Sequence, residues 1–144
     1  MDLDLNGKVA VVTGGSVGIG KAIAKELALE GVNVAVCARR EDLLKQAASD
    51  LASETGGKII PIVTDTTSES SVASMVERVI SELGGVDILV NNAATPGGLV
   101  LGPLAESAEE DLLADINTKV VGYFRCAKAT APIMQERGWG RIIN

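Results

Sequence analysis

The chain has 144 residues, of which 47% are apolar and only 2% aromatic, so its length allows one domain with an aliphatic core. Its formal net charge of −6 disfavours a general nucleic-acid binder, because such proteins usually present a basic surface. The sequence contains no histidine, which excludes Ser-His-Asp and Cys-His catalysis and any histidine-ligated metal.

Short runs of β-branched residues alternate along the first half of the chain with longer helical patterns. Three such runs predict buried strands, at residues 8–12, 32–37 and 59–63. The apolar spacing between them predicts two helices, one from Ile19 to a stop at Gly31 and one over residues 41–51. Pro61 suits an edge strand better than a central one, because proline cannot donate to a sheet ladder.

The third helix has the clearest pattern in the sequence. Its apolar residues form one continuous stripe at helical spacing, made by Val72, Met75, Val76, Val79, Ile80 and Leu83. Gly84 and Gly85 end this helix, and a fourth strand is predicted over residues 86–90. Several prolines and glycines then predict a loop over residues 92–105.

The last part of the chain predicts a long helical stretch and a fifth strand. Ser107 and Glu110 have the spacing of a capping box, which predicts a helix start there and a helical stretch to about Arg137. The fifth strand is predicted over residues 141–144. Strands that alternate with helices of this length form βαβ units, so we predict a parallel sheet in the order 3-2-1-4-5.

A glycine-rich loop, Thr-Gly-Gly-Ser-Val-Gly-Ile-Gly at residues 13–20, lies between the first strand and the first helix. Glycines at such a place allow a tight turn, close approach of the backbone to a pyrophosphate and close packing of the helix on the sheet. The N–H groups and partial positive charge of a helix N-terminus also favour phosphate. This placement favours a dinucleotide-binding site.

Two other interpretations of this loop stay open. Residues 15–21 fit the first part of a P-loop, but Ala22 stands where a P-loop needs Ser or Thr to hold Mg²⁺, which disfavours an NTPase. The plainer alternative is a glycine turn that binds no ligand.

The residues after the second strand bear on the choice between NAD and NADP. An acid there binds the free ribose 2′-OH of NAD, whereas a base accepts the 2′-phosphate of NADP. This chain has Arg39 and Arg40, and the first acid, Glu41, follows them. Because basic residues are unfavourable at a helix N-terminus, the two arginines favour NADP(H) binding over a solvated helix start. We expect Arg39 to be the main contact.

The chain resembles the classical short-chain dehydrogenase/reductase family along its whole length. Residues 13–20 match the T-G-x-x-x-G-x-G cofactor loop of that family. Asp65-Thr66 stands at the position where the family's Asp contacts the adenine. Residues 91–94 resemble the family's N-N-A-G motif, with Ala94 in place of the usual Gly.

Two further matches concern catalysis. Asn117, followed by Gly122, matches the Asn of the family's Asn-Ser-Tyr-Lys set, and residues 140–144 match the strand that leads to the Ser. The resemblance therefore implies that Asn117 is catalytic. With Arg39 included, the expected cofactor contacts are Gly14, Ser16, Gly18, Ile19, Gly20, Arg39, Asp65, Thr66, Asn91 and Ala93.

The resemblance implies an α/β fold with a doubly wound, Rossmann-like parallel sheet. It also implies an oxidoreductase that interconverts a carbonyl and an alcohol, moving a hydride between a small substrate and NADP(H), favoured over NAD(H). In the family the Tyr phenol exchanges the proton, the Lys lowers the pKa of the Tyr, and the Ser orients the substrate.

The chain departs from the family in what it lacks. The family's Ser would follow Asn144, and its Tyr-x-x-x-Lys would come further on. Tyr123 is the only tyrosine, and Lys128 is five residues after it rather than four, so we interpret Tyr123 as a packing residue. We expect residues 1–144 to be a dinucleotide-binding domain that lacks the C-terminal catalytic portion and is inactive alone. The alternative is a catalytically silent nucleotide-binding or assembly module.

The remaining expectations concern compartment and partners. Cys37 and Cys126 lack metal-ligand spacing, so we expect no metal and interpret both as reduced thiols of a cytoplasmic protein. The acidic N-terminus is unlike a signal peptide, and no apolar run approaches a membrane span. If the chain ends at Asn144, residues 142–143 form a bare sheet edge, and the helical stretch over residues 107–137 adds a partly exposed apolar surface. We therefore predict association, as a homo-oligomer or an aggregate; the alternative is that the net charge of −6 keeps the chain monomeric.

Overall fold

The computed structural model describes residues 2–95 and 102–144, and the elements given below lie within those ranges. Five strands occupy Val9–Thr13 (β1), Asn33–Ala38 (β2), Ile59–Val63 (β3), Ile88–Val90 (β4) and Arg141–Ile143 (β5). They pair in parallel in the order β3-β2-β1-β4-β5, which confirms the predicted order. Pro61 lies in β3 at the edge of the sheet, where its missing N–H costs no ladder hydrogen bond.

Helices connect the strands and cover both faces of the sheet. Five α-helices occupy Gly18–Leu29 (α1), Glu41–Thr55 (α2), Glu69–Leu83 (α3), Glu109–Ile116 (α4) and Gly122–Arg137 (α5). A short 3₁₀ helix, Leu104–Glu106, precedes α4, and a π-helical turn, Asn117–Val121, joins α4 to α5.

The core is aliphatic and divides into two layers, one on each face of the sheet. Successive residues of β1 alternate between them: Val9 and Val11 pack with α3 and α5, whereas Ala10 and Val12 pack with α1 and α2. This alternation follows from the two-residue period of a strand. A parallel sheet whose strands β1, β2 and β4 are buried on both faces is the doubly wound, Rossmann-like architecture predicted from the sequence.

The predicted capping box at Ser107 is wrong. The first α4 residue is Glu109, and the residue before it is Ala108, which makes no side-chain cap hydrogen bond. The N–H of Ser107 instead donates to the carbonyl of Leu104 and closes the preceding 3₁₀ turn, so the chain enters α4 later than predicted. Of the predicted loop over residues 92–105, residues 96–101 lie outside the described part of the chain.

An ion pair between a buried carboxylate and an exposed guanidinium closes the amino edge of the sheet. Asp87, just before β4, is 2% exposed, and its carboxylate accepts the backbone N–H of Val9 at 2.8 Å. Arg137, the last residue of α5, donates from Nε to the same carboxylate at 2.9 Å. Gly85 leaves room for this arginine, because a Cβ there would lie against Arg137 Nη1. The pair therefore fixes α5, β1 and β4 together at the amino edge.

Candidate functional site

A cleft of about 490 Å³ lies at the carboxyl edge of the sheet, opposite the Asp87–Arg137 pair. Its walls come from the segments that follow β1 to β4 and from the start of α1. In the order β3-β2-β1-β4-β5, the chain reverses its direction of winding between β1 and β4. Open α/β sheets bind ligands at the carboxyl ends of their strands, at this kind of reversal.

The glycines at the turn from β1 into α1 meet two requirements, a positive φ and close packing. Gly14 has φ +66° and Gly18 has φ +54°, a region that residues with a Cβ rarely adopt. Gly18 lines the cleft, and a Cβ there would meet nothing within 4 Å. Gly20 is needed for packing, because its Cβ would lie against the carbonyl oxygen of Gly14.

The N-terminus of α1 faces the cleft with its backbone donors unoccupied by side chains. Its N-cap, Val17, makes no side-chain cap hydrogen bond, and the first turn contains no acidic residue. By contrast, Ser68 caps α3 by accepting the N–H of Ser71 at 3.3 Å. Free N–H groups with partial positive charge suit a phosphate, so this end of α1 fits a pyrophosphate.

Asn92 connects the glycine loop to the segment after β4 by hydrogen bonds, a role that was not predicted from the sequence. Its Nδ2 donates to the carbonyls of Thr13 and Gly14, both at 3.2 Å. The Thr13 hydroxyl in turn accepts the backbone N–H groups of Asn92 at 3.0 Å and Ala93 at 3.1 Å. The N-N-A-A motif pointed to this segment but gave no signal for which of its two asparagines lines the cleft.

Asn91, the other asparagine of the motif, is 3% exposed and is absent from the described residues that line the cleft. Its Nδ2 donates to Asn144 Oδ1 at 2.8 Å and to the carbonyl of Tyr123 at 3.4 Å. These bonds join β4 to the end of β5 and to α5. Asn91 therefore holds the elements beside the cleft.

Arg39 and Asp65 lie on the wall formed by the segments after β2 and β3. Arg39 is exposed, and it takes part in none of the ion pairs of the described residues. Asp65 Oδ1 accepts the hydroxyl of Thr67 at 2.7 Å and its N–H at 2.9 Å. These bonds, helped by the charges of Arg39 and Arg125, hold the pKa of Asp65 below its usual value.

Asn117 opens the π turn, and its side chain does not reach the cleft wall, where the next residue, Thr118, stands. Asn117 Oδ1 accepts a hydrogen bond from Arg125 Nη2 at 3.0 Å. Tyr123 Oη donates to the carbonyl of Ala93 at 3.0 Å. Burial raises the pKa of Tyr123, so this phenol stays protonated in a structural hydrogen bond, in keeping with a packing role.

The structure brings most of the expected cofactor contacts together in the one cleft. Those that line it are Gly14, Ser16, Gly18, Ile19, Arg39, Asp65, Thr66 and Ala93. Gly20, Asn91 and Asn117 do not line it. The described residues contain no group of three or more side chains able to hold a metal ion. Within the same residues, none of the helices has the length and apolar character to cross a membrane.

The chain is similar in sequence to known reductases and dehydrogenases. The family model described as short chain dehydrogenase matches residues 8–144. The chain is 40% identical to a fatty acyl-CoA reductase of Mycobacterium tuberculosis, covering 99% of this chain and 48% of that protein. It spans about half the length of the curated relatives it matches.

Solved structures show the same likeness. L-sorbose reductase from Gluconobacter frateurii, complexed with NADPH and L-sorbose, has a TM-score of 0.90 and 39% identity. That match covers 99% of this chain and 53% of the reductase. NAD⁺-bound xylitol dehydrogenase has a TM-score of 0.89 and 33% identity, covering 96% of this chain and 52% of that one.

Proposed function

Because the chain belongs to the short-chain dehydrogenase family, we propose that it forms the cofactor-binding part of an NADP(H)-dependent oxidoreductase. Its substrate class would be a small carbonyl compound or the corresponding alcohol. The observation that carries this proposal is the cleft at the carboxyl edge, where the glycine loop, the free end of α1 and Arg39 converge.

The residues of the cleft fit a nicotinamide dinucleotide. Gly18 leaves open space beside the free N–H groups of α1, which suits the pyrophosphate. Asp65 and Thr66 supply carboxylate and backbone groups for the adenine, and Ala93 leaves room on the opposite wall. The bound dinucleotide supplies the hydride acceptor or donor. The protein's part is to hold and orient it.

Arg39 supports NADP(H) over NAD(H). It is a cation on the cleft wall without a carboxylate partner in the described ion pairs, so its donors are available for a 2′-phosphate. A hydrogen bond to a charged group contributes about 1.5–3 kcal/mol. At about 1.4 kcal/mol per factor of ten, that corresponds to roughly a ten- to hundredfold preference.

Calorimetric titration of NADPH and NADH into the wild type, Arg39→Ala and Arg40→Ala tests this preference. We expect the wild type to prefer NADPH, and Arg39→Ala to bind both cofactors almost equally. Arg40 also lines the cleft, and Arg40→Ala makes the same charge change one residue further on; we expect it to keep most of the preference, because Arg39 is the proposed main contact. Equal affinities of the wild type for the two cofactors would overturn the assignment.

We propose a catalytic role for Asn117 only from its match to the family's Asn, because its side chain does not line the cleft and accepts a hydrogen bond from Arg125. The chain contains no match to the Ser, Tyr and Lys. Loss of an acid/base group alone removes a factor of about 10²–10⁴. We therefore expect the 144-residue chain to oxidise no NADPH above the no-enzyme blank with a panel of ketones and aldehydes. Turnover that survives Asn117→Ala and Tyr123→Phe would contradict this assignment.

We propose that the protein is a cytoplasmic homo-oligomer. Its two cysteines are free and buried, which supports a reducing compartment. The outer face of α4, the π turn and α5 exposes large apolar side chains, Leu112, Leu113, Ile116, Val120 and Phe124. Such a face rarely stays exposed on a monomer. Light scattering over a dilution series tests it, and a monomer mass at every concentration would contradict it.

A further inference from the structure

Arg125 lies behind the cleft, in the first turn of α5, and joins two segments that are far apart in sequence. Its Nη1 donates to the backbone carbonyl of Thr66 at 3.0 Å. Its Nη2 donates to Asn117 Oδ1, also at 3.0 Å. One guanidinium therefore ties the connection between β3 and α3 to the π turn between α4 and α5. Both bonds are charge-assisted and stronger than bonds between neutral groups.

The π turn brings Asn117 into line with Arg125. The two are eight residues apart, and in an α-helix of roughly 3.6 residues per turn the eighth residue is rotated by about 80° from the first. A π turn holds about one residue more than an α turn. One α turn and one π turn together therefore hold roughly eight residues, which places both side chains on the same face.

The connection between β3 and α3 lies directly against the start of α5. Gly122 allows this approach, because a Cβ there would be 3.2 Å from Thr66 Oγ1 and 3.3 Å from Thr66 Cβ. Thr66 is buried, yet it lines the cleft together with its neighbour Asp65. Arg125 thus binds the backbone of the Asp65–Thr66 segment, whose side toward the cleft forms part of the cleft wall.

We propose that Arg125 is a positioning residue of the nucleotide site, holding the Asp65–Thr66 wall against the π turn in its binding-competent position. This inference rests on the proposed function and adds a residue outside the cleft that sets affinity. When a binding-competent state is populated only in part, apparent affinity falls by that fraction. If the Asp65–Thr66 segment holds its binding-competent position for only about a tenth of the time, binding is about tenfold weaker.

Calorimetric titration of NADPH, and of its adenosine half 2′,5′-ADP, tests this role in the wild type, Arg125→Ala, Arg125→Lys and Arg78→Ala. Arg78 pairs with Glu82 on the exposed side of α3, so its loss makes the same charge change away from the cleft. We expect Arg125→Ala to bind both ligands about tenfold more weakly. We expect Arg125→Lys to bind more weakly than the wild type, because an ammonium lacks the fork that serves both acceptors, but less weakly than Arg125→Ala, because the charge is kept. Arg78→Ala stays within about twofold, as expected for an exposed pair.

Amide NMR spectra separate positioning from general stability. We expect the Asp65 and Thr66 signals of Arg125→Ala to be shifted or broadened without ligand and to return toward wild-type positions when NADPH is saturating. Signals of residues at the amino edge, such as Val9, should stay unchanged in both states.

Three results would overturn the role of Arg125. The first is wild-type NADPH affinity in Arg125→Ala, and the second is an equal loss of affinity in Arg125→Ala and Arg78→Ala. The third is a set of Asp65 and Thr66 amide signals that do not change in Arg125→Ala. If Arg125→Ala fails to fold, Arg125→Lys decides, and wild-type affinity in that variant overturns the role. A wild-type chain that binds neither ligand refutes the proposed function itself, whereas wild-type binding with unaffected variants refutes only the inference about Arg125.

Discussion

Replacing Gly20 by alanine tests whether the glycine loop and α1 are packed as closely as the structure has them. The new Cβ would overlap the carbonyl oxygen of Gly14, and it would also crowd Asn92 Nδ2, which donates to that same oxygen. Neither neighbour can move alone, because Asn92 also holds Thr13. The helix must therefore shift away from β1.

The expected cost follows from that geometry. Overpacking a well-packed site costs about 1–3 kcal/mol of unfolding free energy. We expect Gly20→Ala to lie at the upper end of this range, because the atom it meets is the backbone carbonyl oxygen of Gly14, which cannot move as a side chain can. For a chain of this size, each kcal/mol lowers Tm by about 2–4 °C, so we expect a fall of about 5–10 °C. NADPH affinity should also fall, since the loop that lines the cleft is displaced.

Two matched variants separate stability from binding. Gly18→Ala and Gly56→Ala both force a residue with a Cβ into positive φ, at +54° and +68°, with open space around the Cβ. Each should lose about 1–2 kcal/mol of unfolding free energy. Only Gly18 lines the cleft, so only Gly18→Ala should weaken NADPH binding strongly. A Gly20→Ala protein with wild-type Tm, measured by calorimetry, would refute the close packing.

Three further predictions concern charge and burial. Arg137→Ala leaves the buried Asp87 carboxylate without its cation and should cost about 1–3 kcal/mol in urea unfolding, clearly more than Lys45→Ala, which removes only an exposed ion pair. Because the pKa of Asp65 is lowered on folding, its contribution is present above its unfolded pKa and is lost as pH falls through the folded pKa. Thr67→Val should therefore destabilise the protein at pH 7, and this loss should shrink as the pH falls through the folded pKa of Asp65. Burial raises the pKa of the two cysteine thiols to about 12 and about 11, so mass spectrometry should find them unalkylated at pH 8 until the chain unfolds.

The strands and the cleft could be predicted because their signals are local. The β-branched runs gave all five strands to within two residues, and the glycine loop marked the cleft. Helix α2 continues one turn beyond Leu51 to Thr55, since Gly56 adopts positive φ and ends it there. A glycine just after a helical pattern is a common helix end, so Gly56 could have predicted the C-terminus of α2 from the sequence.

The parts that could not be predicted depend on contacts between distant segments. No residue pattern marks the π turn at 117–121, which is needed to align Asn117 with Arg125 across two turns. The same holds for Asn92, whose bonds reach Thr13 and Gly14 nearly eighty residues earlier. At Ser107 the capping-box spacing was misleading, because its backbone N–H is hydrogen-bonded to the carbonyl of Leu104 in the 3₁₀ turn.

An NMR titration of the isotopically labelled chain with NADPH tests the central claim most directly. The claim is that the cleft at the carboxyl edge of the sheet binds the dinucleotide. We expect saturable shifts in the amides of residues 14–20, Arg39 and residues 65–66, while those around Asp87 at the amino edge stay in place. Shifts confined to the amino edge, or no saturable shifts at millimolar NADPH, would contradict the account.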